Sequence, residues 1–171
     1  KLEVELHEKI KQAIKTQDYN RALILLEDES EDETESLYLR AICVRGLGNR
    51  QEALETIDKL LRLQPKHGRA FQERGHILRA SGRENSALAA YGRATQENPA
   101  LHASWRAQAE ILLGQGRHAE ANRLKPHIQR LAGMPSQLVY VLDILSQGFL
   151  GKAEQICREF LKQHPHHVEG M

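Results

Sequence analysis

Laid over itself at a shift of 34 residues, the chain matches itself: GLGNRQEALETIDKLLRLQP falls on ASGRENSALAAYGRATQENP. Gly48 and Gly82, Ala53 and Ala87, and Pro65 and Pro99 are paired by this step, and Gly116 and Ala121 continue it. QGFLGKAEQICREFLKQHP brings Gly148, Ala153 and Pro165 with the same internal spacing, two residues early. At the amino end TQDYNRALILLEDES carries Tyr19 and Ala22 in corresponding places, 31 residues before Ala53. A fixed period of this length means a supersecondary unit that buries its apolar face only by stacking on its neighbours. Within each repeat an apolar stripe at helical spacing, a turn with Gly in most repeats and a second stripe predict two antiparallel helices. Ala53, Ala87, Ala121 and Ala153 fall where the two helices of a repeat come closest, and the turn glycines can adopt the left-handed conformation cheaply. Period-2 alternation is absent, so no strand is expected. The expected fold class is all-α, with repeats at about 3–35, 36–67, 68–101, 102–133 and 134–167.

Trp105, Ala109, Gly116 and Ala121, and Phe71, Gly75, Gly82, Ala87, Tyr91, Ala94 and Pro99, resemble the pattern of tetratricopeptide repeats over nearly the whole chain. The resemblance implies a right-handed superhelical solenoid of about five helix-turn-helix repeats and a role in holding another protein. It also implies that the first helix of each repeat lines a concave groove. By register that groove takes His7, Lys11 and Lys15 from the first repeat, and Tyr38, Ile42 and Arg45 from the second. Arg69, Gln72, His76 and Arg79 come from the third, and Arg106 and Glu110 from the fourth. Cations dominate this set, and a guanidinium fork suits carboxylates or phosphates, so an acidic protein or peptide segment is the expected partner; a merely solvated inner face with local ion pairs is the alternative. The Lys and Asn set with which some members clamp acidic chaperone tails is not found at matching positions. One departure from the pattern is Lys125 and Pro126 in the second helix of the fourth repeat, which predicts a kink or early break near Leu124.

No phosphate-loop, nucleophile-elbow or His-Glu-x-x-His motif occurs, so the chain is read as having no catalytic residue, no cofactor and no metal of its own. His164, His166 and His167 could ligate metal as a short tract, but Pro165 places them at a turn where exposed polar residues are expected. EDESEDETE sets seven carboxylates between Glu27 and Glu35, with no central Gly for a calcium loop, and reads as a solvated linker or frayed helix end. The formal net charge is +1, yet residues 1–35 are near −6 and the remainder near +7, too dispersed for the concentrated basic field of a nucleic-acid binder. No apolar stretch approaches a membrane span. Cys43 and Cys157 stand alone, which fits buried thiols in a reducing compartment such as the cytoplasm, although a secreted chain stripped of its signal would read the same.

The fourth and fifth repeats, with their shortened Pro-containing connector and KAEQICREFLKQHPHHVEGM, resemble the amino-terminal region of bacterial proteins in which tetratricopeptide repeats precede a sulfotransferase domain. That implies a recruiting arm whose chemistry lies in a separate domain; a free-standing adaptor is the alternative. HPHHVEGM reads as the opening of a further repeat, so the chain is expected to be a piece of a longer protein that exposes apolar surface at its carboxyl end and self-associates there.

Overall fold

The computed structural model describes residues 2–28 and 34–165, and these form ten α-helices with no strand among them. They are α1 (Leu2–Lys15), α2 (Tyr19–Leu26), α3 (Thr34–Gly46), α4 (Arg50–Leu63), α5 (Gly68–Ala80), α6 (Glu84–Glu97), α7 (His102–Gly114), α8 (His118–Gly133), α9 (Ser136–Ser146) and α10 (Leu150–Gln163). The chain divides within α6 into two compact units, 1–90 and 91–171.

The turns repeat one hydrogen-bonded design. After α3, the Gly48 N–H donates to the Arg45 carbonyl at 2.9 Å and the Asn49 N–H reaches back to Val44 at 3.1 Å. This is the Schellman closure, which satisfies carbonyls that the helix end would otherwise leave open. It requires a left-handed residue, supplied by Gly48 at φ 85°, Gly82 at 73°, Gly116 at 73° and Gly148 at 85°. The first turn makes the same two bonds, Gln17 to Ile14 and Asp18 to Ala13, but forces Gln17 to φ 61°, which strains a residue with a Cβ. Asp18 and Asn49 then cap the helices that follow, accepting from the Arg21 and Glu52 amides.

In the amino-terminal unit Ile10, Ala13, Ala22, Leu26, Leu39 and Cys43 form one buried cluster, and Leu37, Ala41, Val44, Ala53, Ile57, Leu60, Ala70 and Ile77 form the next. α3 packs against α2, α4 and α5, so the first helices of the second and third repeats touch. In the carboxyl-terminal unit α7 pairs with α8 and α9 with α10, the latter pair around Val141, Ile144 and Ala153. Ala53, Ala87, Ala121 and Ala153, assigned to the closest approach, are 0–2% exposed as the register requires, and so is Ala22 in the corresponding place of the first repeat.

The break expected at Leu124 does not occur: α8 runs through Pro126 to Gly133. Proline removes one N–H and leaves the carbonyl of Asn122 without its helical donor. Both residues are exposed, so water can satisfy the open carbonyl, and Ala121 and Leu131, buried on either side of Pro126, anchor the two halves of the helix.

Gly46 and Gly114 close α3 and α7 in the same repeat position but face different surroundings. A methyl group on Gly46 would run into the Tyr19 ring, whereas nothing lies within 4 Å of the corresponding point on Gly114. Gly46→Ala should therefore lower the thermal midpoint by several degrees, overpacking costing about 1–3 kcal/mol. Gly114→Ala should leave the midpoint unchanged or raise it slightly through helix propensity. Thermal unfolding followed by circular dichroism compares the two directly, and equal effects would contradict the Tyr19 packing.

Candidate functional site

In the amino-terminal unit the first helices α1, α3 and α5 carry the residues assigned to the groove. α3 supplies Tyr38, Ile42 and Arg45; α5 supplies Arg69, Gln72, His76 and Arg79, all half-buried. The helical period of 3.6 aligns each set along one side of its helix. Electrostatics show how closely they are gathered. Burial pushes the Tyr38 phenol up to about 12, helped by the Glu73 carboxylate and opposed by Arg69 and Arg45. Burial pushes the His76 imidazole down, with Arg45 and Arg79 adding to the effect and Glu73 opposing it. Tyr38, Arg45, Arg69, His76 and Arg79 thus form one electrostatic cluster. Lys11 lies on α1 and is exposed.

Register alone missed the residue at the centre of this cluster. Glu73 is 3% exposed, and its carboxylate pairs with the Arg45 guanidinium, in contact with Arg45 Nε and with Nη2 at 3.4 Å. A buried carboxylate survives only when a cation and hydrogen bonds replace the water it loses. The signal was available: one period away the same position holds Leu39 and Ala107, both buried, so a carboxylate there had to find a partner indoors. Beside the cluster, the Tyr38 and His67 rings sit 5.8 Å apart. His67 Nδ1 caps α5 by accepting from the Ala70 amide at 3.0 Å. Glu35, at the start of α3, lies 3.6 Å from His7.

The other two assigned residues, Arg106 and Glu110, are exposed on α7 in the carboxyl-terminal unit. There Trp105 stacks on His127 with centroids 4.2 Å apart and donates its indole N–H to the Pro99 carbonyl at 3.0 Å. Gln108 donates to the Tyr91 carbonyl and the Thr95 hydroxyl, and Asn98 donates to the buried Asp143 carboxylate at 2.8 Å. These bonds are internal and satisfied, and they read as packing. Phe149, Leu150 and Leu161 are 56%, 70% and 43% exposed. Glu29–Glu33 of the acidic run, and His166, His167 and the rest of HPHHVEGM beyond Pro165, lie outside the described residues. Among the described residues no group of three or more His, Cys, Asp or Glu side chains could hold a metal ion. No described helix is long and apolar enough to cross a membrane.

No family model matches the chain. No curated protein matches it either. Solved structures do. A crystal structure of MamA superimposes with a TM-score of 0.66 at 16% identity, over 74% of this chain and 76% of that one. MamA from Desulfovibrio magneticus RS-1, from residue 41 to its end, gives 0.61 at 18%, over 90% and 94%. A structure of Naa15/Naa10 bound to HypK-THB gives 0.68 at 18%, over 95% of this chain and 25% of that one, so the chain spans a quarter of its length. At these identities the likeness concerns the fold, and that fold is an all-α helical repeat of tetratricopeptide type.

His67 and His76 both titrate below their ordinary range because burial disfavours the imidazolium. Below pH about 6.5 the unfolded chain binds protons that the folded one resists, so stability present above that pH is lost as pH falls. The thermal midpoint should be lower at pH 5.5 than at pH 7.5, and the drop should shrink in a His67→Gln/His76→Gln variant. An identical drop in that variant would assign the loss to other groups.

Proposed function

We propose that this chain is a protein-interaction scaffold that holds an acidic, extended segment of another protein against the α3–α5 face of its amino-terminal unit. The observation that carries the reading is the gathering of Arg45, Arg69, His76 and Arg79 around Tyr38 on two adjacent first helices. Arg forks and a neutral imidazole offer donors to carboxylates, and a half-buried aromatic offers apolar contact at low entropic cost. Gln72 lies on the same helix, α5, and Lys11 on α1 of the same unit. The fold supports it as well, since stacked repeats present continuous surfaces suited to extended ligands, and a structure with the same fold contains Naa15/Naa10 bound to HypK-THB. Holding a segment in this way needs no cofactor. The exposed Phe149, Leu150 and Leu161 support self-association through α9 and α10.

A finer reading makes the chain the recruiting arm of a sulfotransferase, with catalysis in a separate domain. Its support is the resemblance of the fourth and fifth repeats to sulfotransferase-linked proteins, and it fails if the full gene encodes no nucleotide-binding domain after residue 171. In either reading the binding experiment is the same. Fluorescein-labelled octaglutamate and octalysine are titrated with the chain at 50 mM and about 300 mM salt. Octaglutamate should bind at low salt and weaken severalfold at high salt, and octalysine should not. Equal binding of both, or of neither, would leave the face as a solvated surface.

A further inference from the structure

Helices are usually capped by the oxygen of Ser, Thr, Asp or Asn, but α5 is capped by an imidazole. The Nδ1 of His67 accepts from the Ala70 amide at 3.0 Å, and the His67 carbonyl accepts from the Phe71 amide at 3.2 Å. To accept, Nδ1 must keep its lone pair, so the neutral ring carries its proton on Nε2. Asp18 and Asn49, which cap α2 and α4, accept with oxygens that keep a lone pair in any protonation state. One period on, Leu101 precedes α7 with no side-chain cap, so the repeat itself does not call for this bond. The His67 ring is half-buried, 5.8 Å from that of Tyr38. Burial holds the imidazole below its ordinary range, while Glu35 of α3 favours the imidazolium and Arg69 of α5 opposes it. Among the described residues α4 adds no charge that acts on the ring. Glu35 itself faces His7 of α1 at 3.6 Å, and Lys66, next along the connector, is exposed. The Tyr38 phenol, pushed up to about 12, stays neutral throughout the range that matters for a histidine.

We propose that His67 is a proton-operated latch on α5: neutral, it holds the first turn of the helix closed, and protonated at Nδ1 it releases that turn while the rest of the unit stays folded. The proton turns an acceptor into a donor facing another donor, the Ala70 amide. It also places a positive charge at the positive end of the helix dipole. Gly68, the first residue of the helix, is a poor helix former and gives the turn little support of its own. Ala70 is buried in the cluster beneath, so the opened turn is a minor population and the latch sets how large it is. In the opened turn the ring titrates near its ordinary value of about 6.5, above its value in the closed turn. Below that pH the opened fraction therefore rises, by at most tenfold per pH unit, until the closed form also takes up the proton. Arg69 sits on this turn, so the α3–α5 face changes with it, but the latch does not depend on what that face binds.

Amide hydrogen exchange at about pH 7.5 and about pH 5.5 tests this, with each rate referred to the intrinsic rate at its own pH so that protection factors are compared. Glu52, whose amide is capped by Asn49, and Leu60, in the buried core of α4, serve as references and remove any global loss of stability. In the wild-type chain, protection at Ala70 and Phe71 should fall severalfold relative to these references on acidification, and by at most about tenfold. His67→Asn keeps an oxygen acceptor at the cap and should flatten that pH dependence. His67→Ala removes the acceptor and should leave the two amides weakly protected at both pH values. A wild-type fall at Ala70 and Phe71 no larger than at Glu52 and Leu60, or an undiminished fall in His67→Asn, would overturn the latch. The imidazole nitrogen shifts of the wild-type chain give a check that needs no variant. They should place the neutral ring's proton on Nε2, and a proton on Nδ1 would overturn the latch as well.

Discussion

The close approach of two helices at a buried alanine is the contact on which everything else in this structure depends. Ala22, Ala53, Ala87, Ala121 and Ala153 have almost no exposed surface, and a larger side chain at any of them would separate the helices of its repeat. Hydrogen bonds at the turn lock that approach in place: each repeat closes its first helix with the same pair of bonds and re-enters its second within a few residues. A short, rigid turn and a small contact residue leave little freedom in how the second helix lies on the first. Stacking then follows from burial, because Leu37 and Val44 of α3, Ile57 of α4 and Ile77 of α5 share one cluster.

That geometry also makes a surface. With α3 held against both α4 and α5, Tyr38 and Arg45 are brought beside Arg69, His76 and Arg79, which lie far away along the chain. The interior under the surface is not purely apolar. The Arg45–Glu73 pair costs desolvation, and replacing it by packed apolar residues would often be neutral or favourable for stability. The pair is therefore weak evidence for stability.

The repeat architecture was legible in the sequence because its determinants are local and periodic: a glycine where the turn needs a left-handed residue, and an alanine where the helices touch. Gln17 could be placed by the same register even though it is not glycine. Pro126 misled because its cost is local, whereas the burial of Ala121 and Leu131 that carries α8 past it is set by packing. The site was half legible. Register put Arg45, Arg69, His76 and Arg79 on first helices, but did not single out Glu73. Its burial emerges only from the comparison with Leu39 and Ala107 one period away.

The claim that this chain works as a binding module through one defined face is tested most directly by nuclear magnetic resonance mapping. An isotopically labelled chain is titrated with octaglutamate, and amide shifts are followed along the backbone. The account predicts that the largest perturbations fall on α3 and α5, around Tyr38–Arg45 and Arg69–Arg79. Perturbations concentrated on α8 or α10, or scattered evenly over exposed cations, would contradict it.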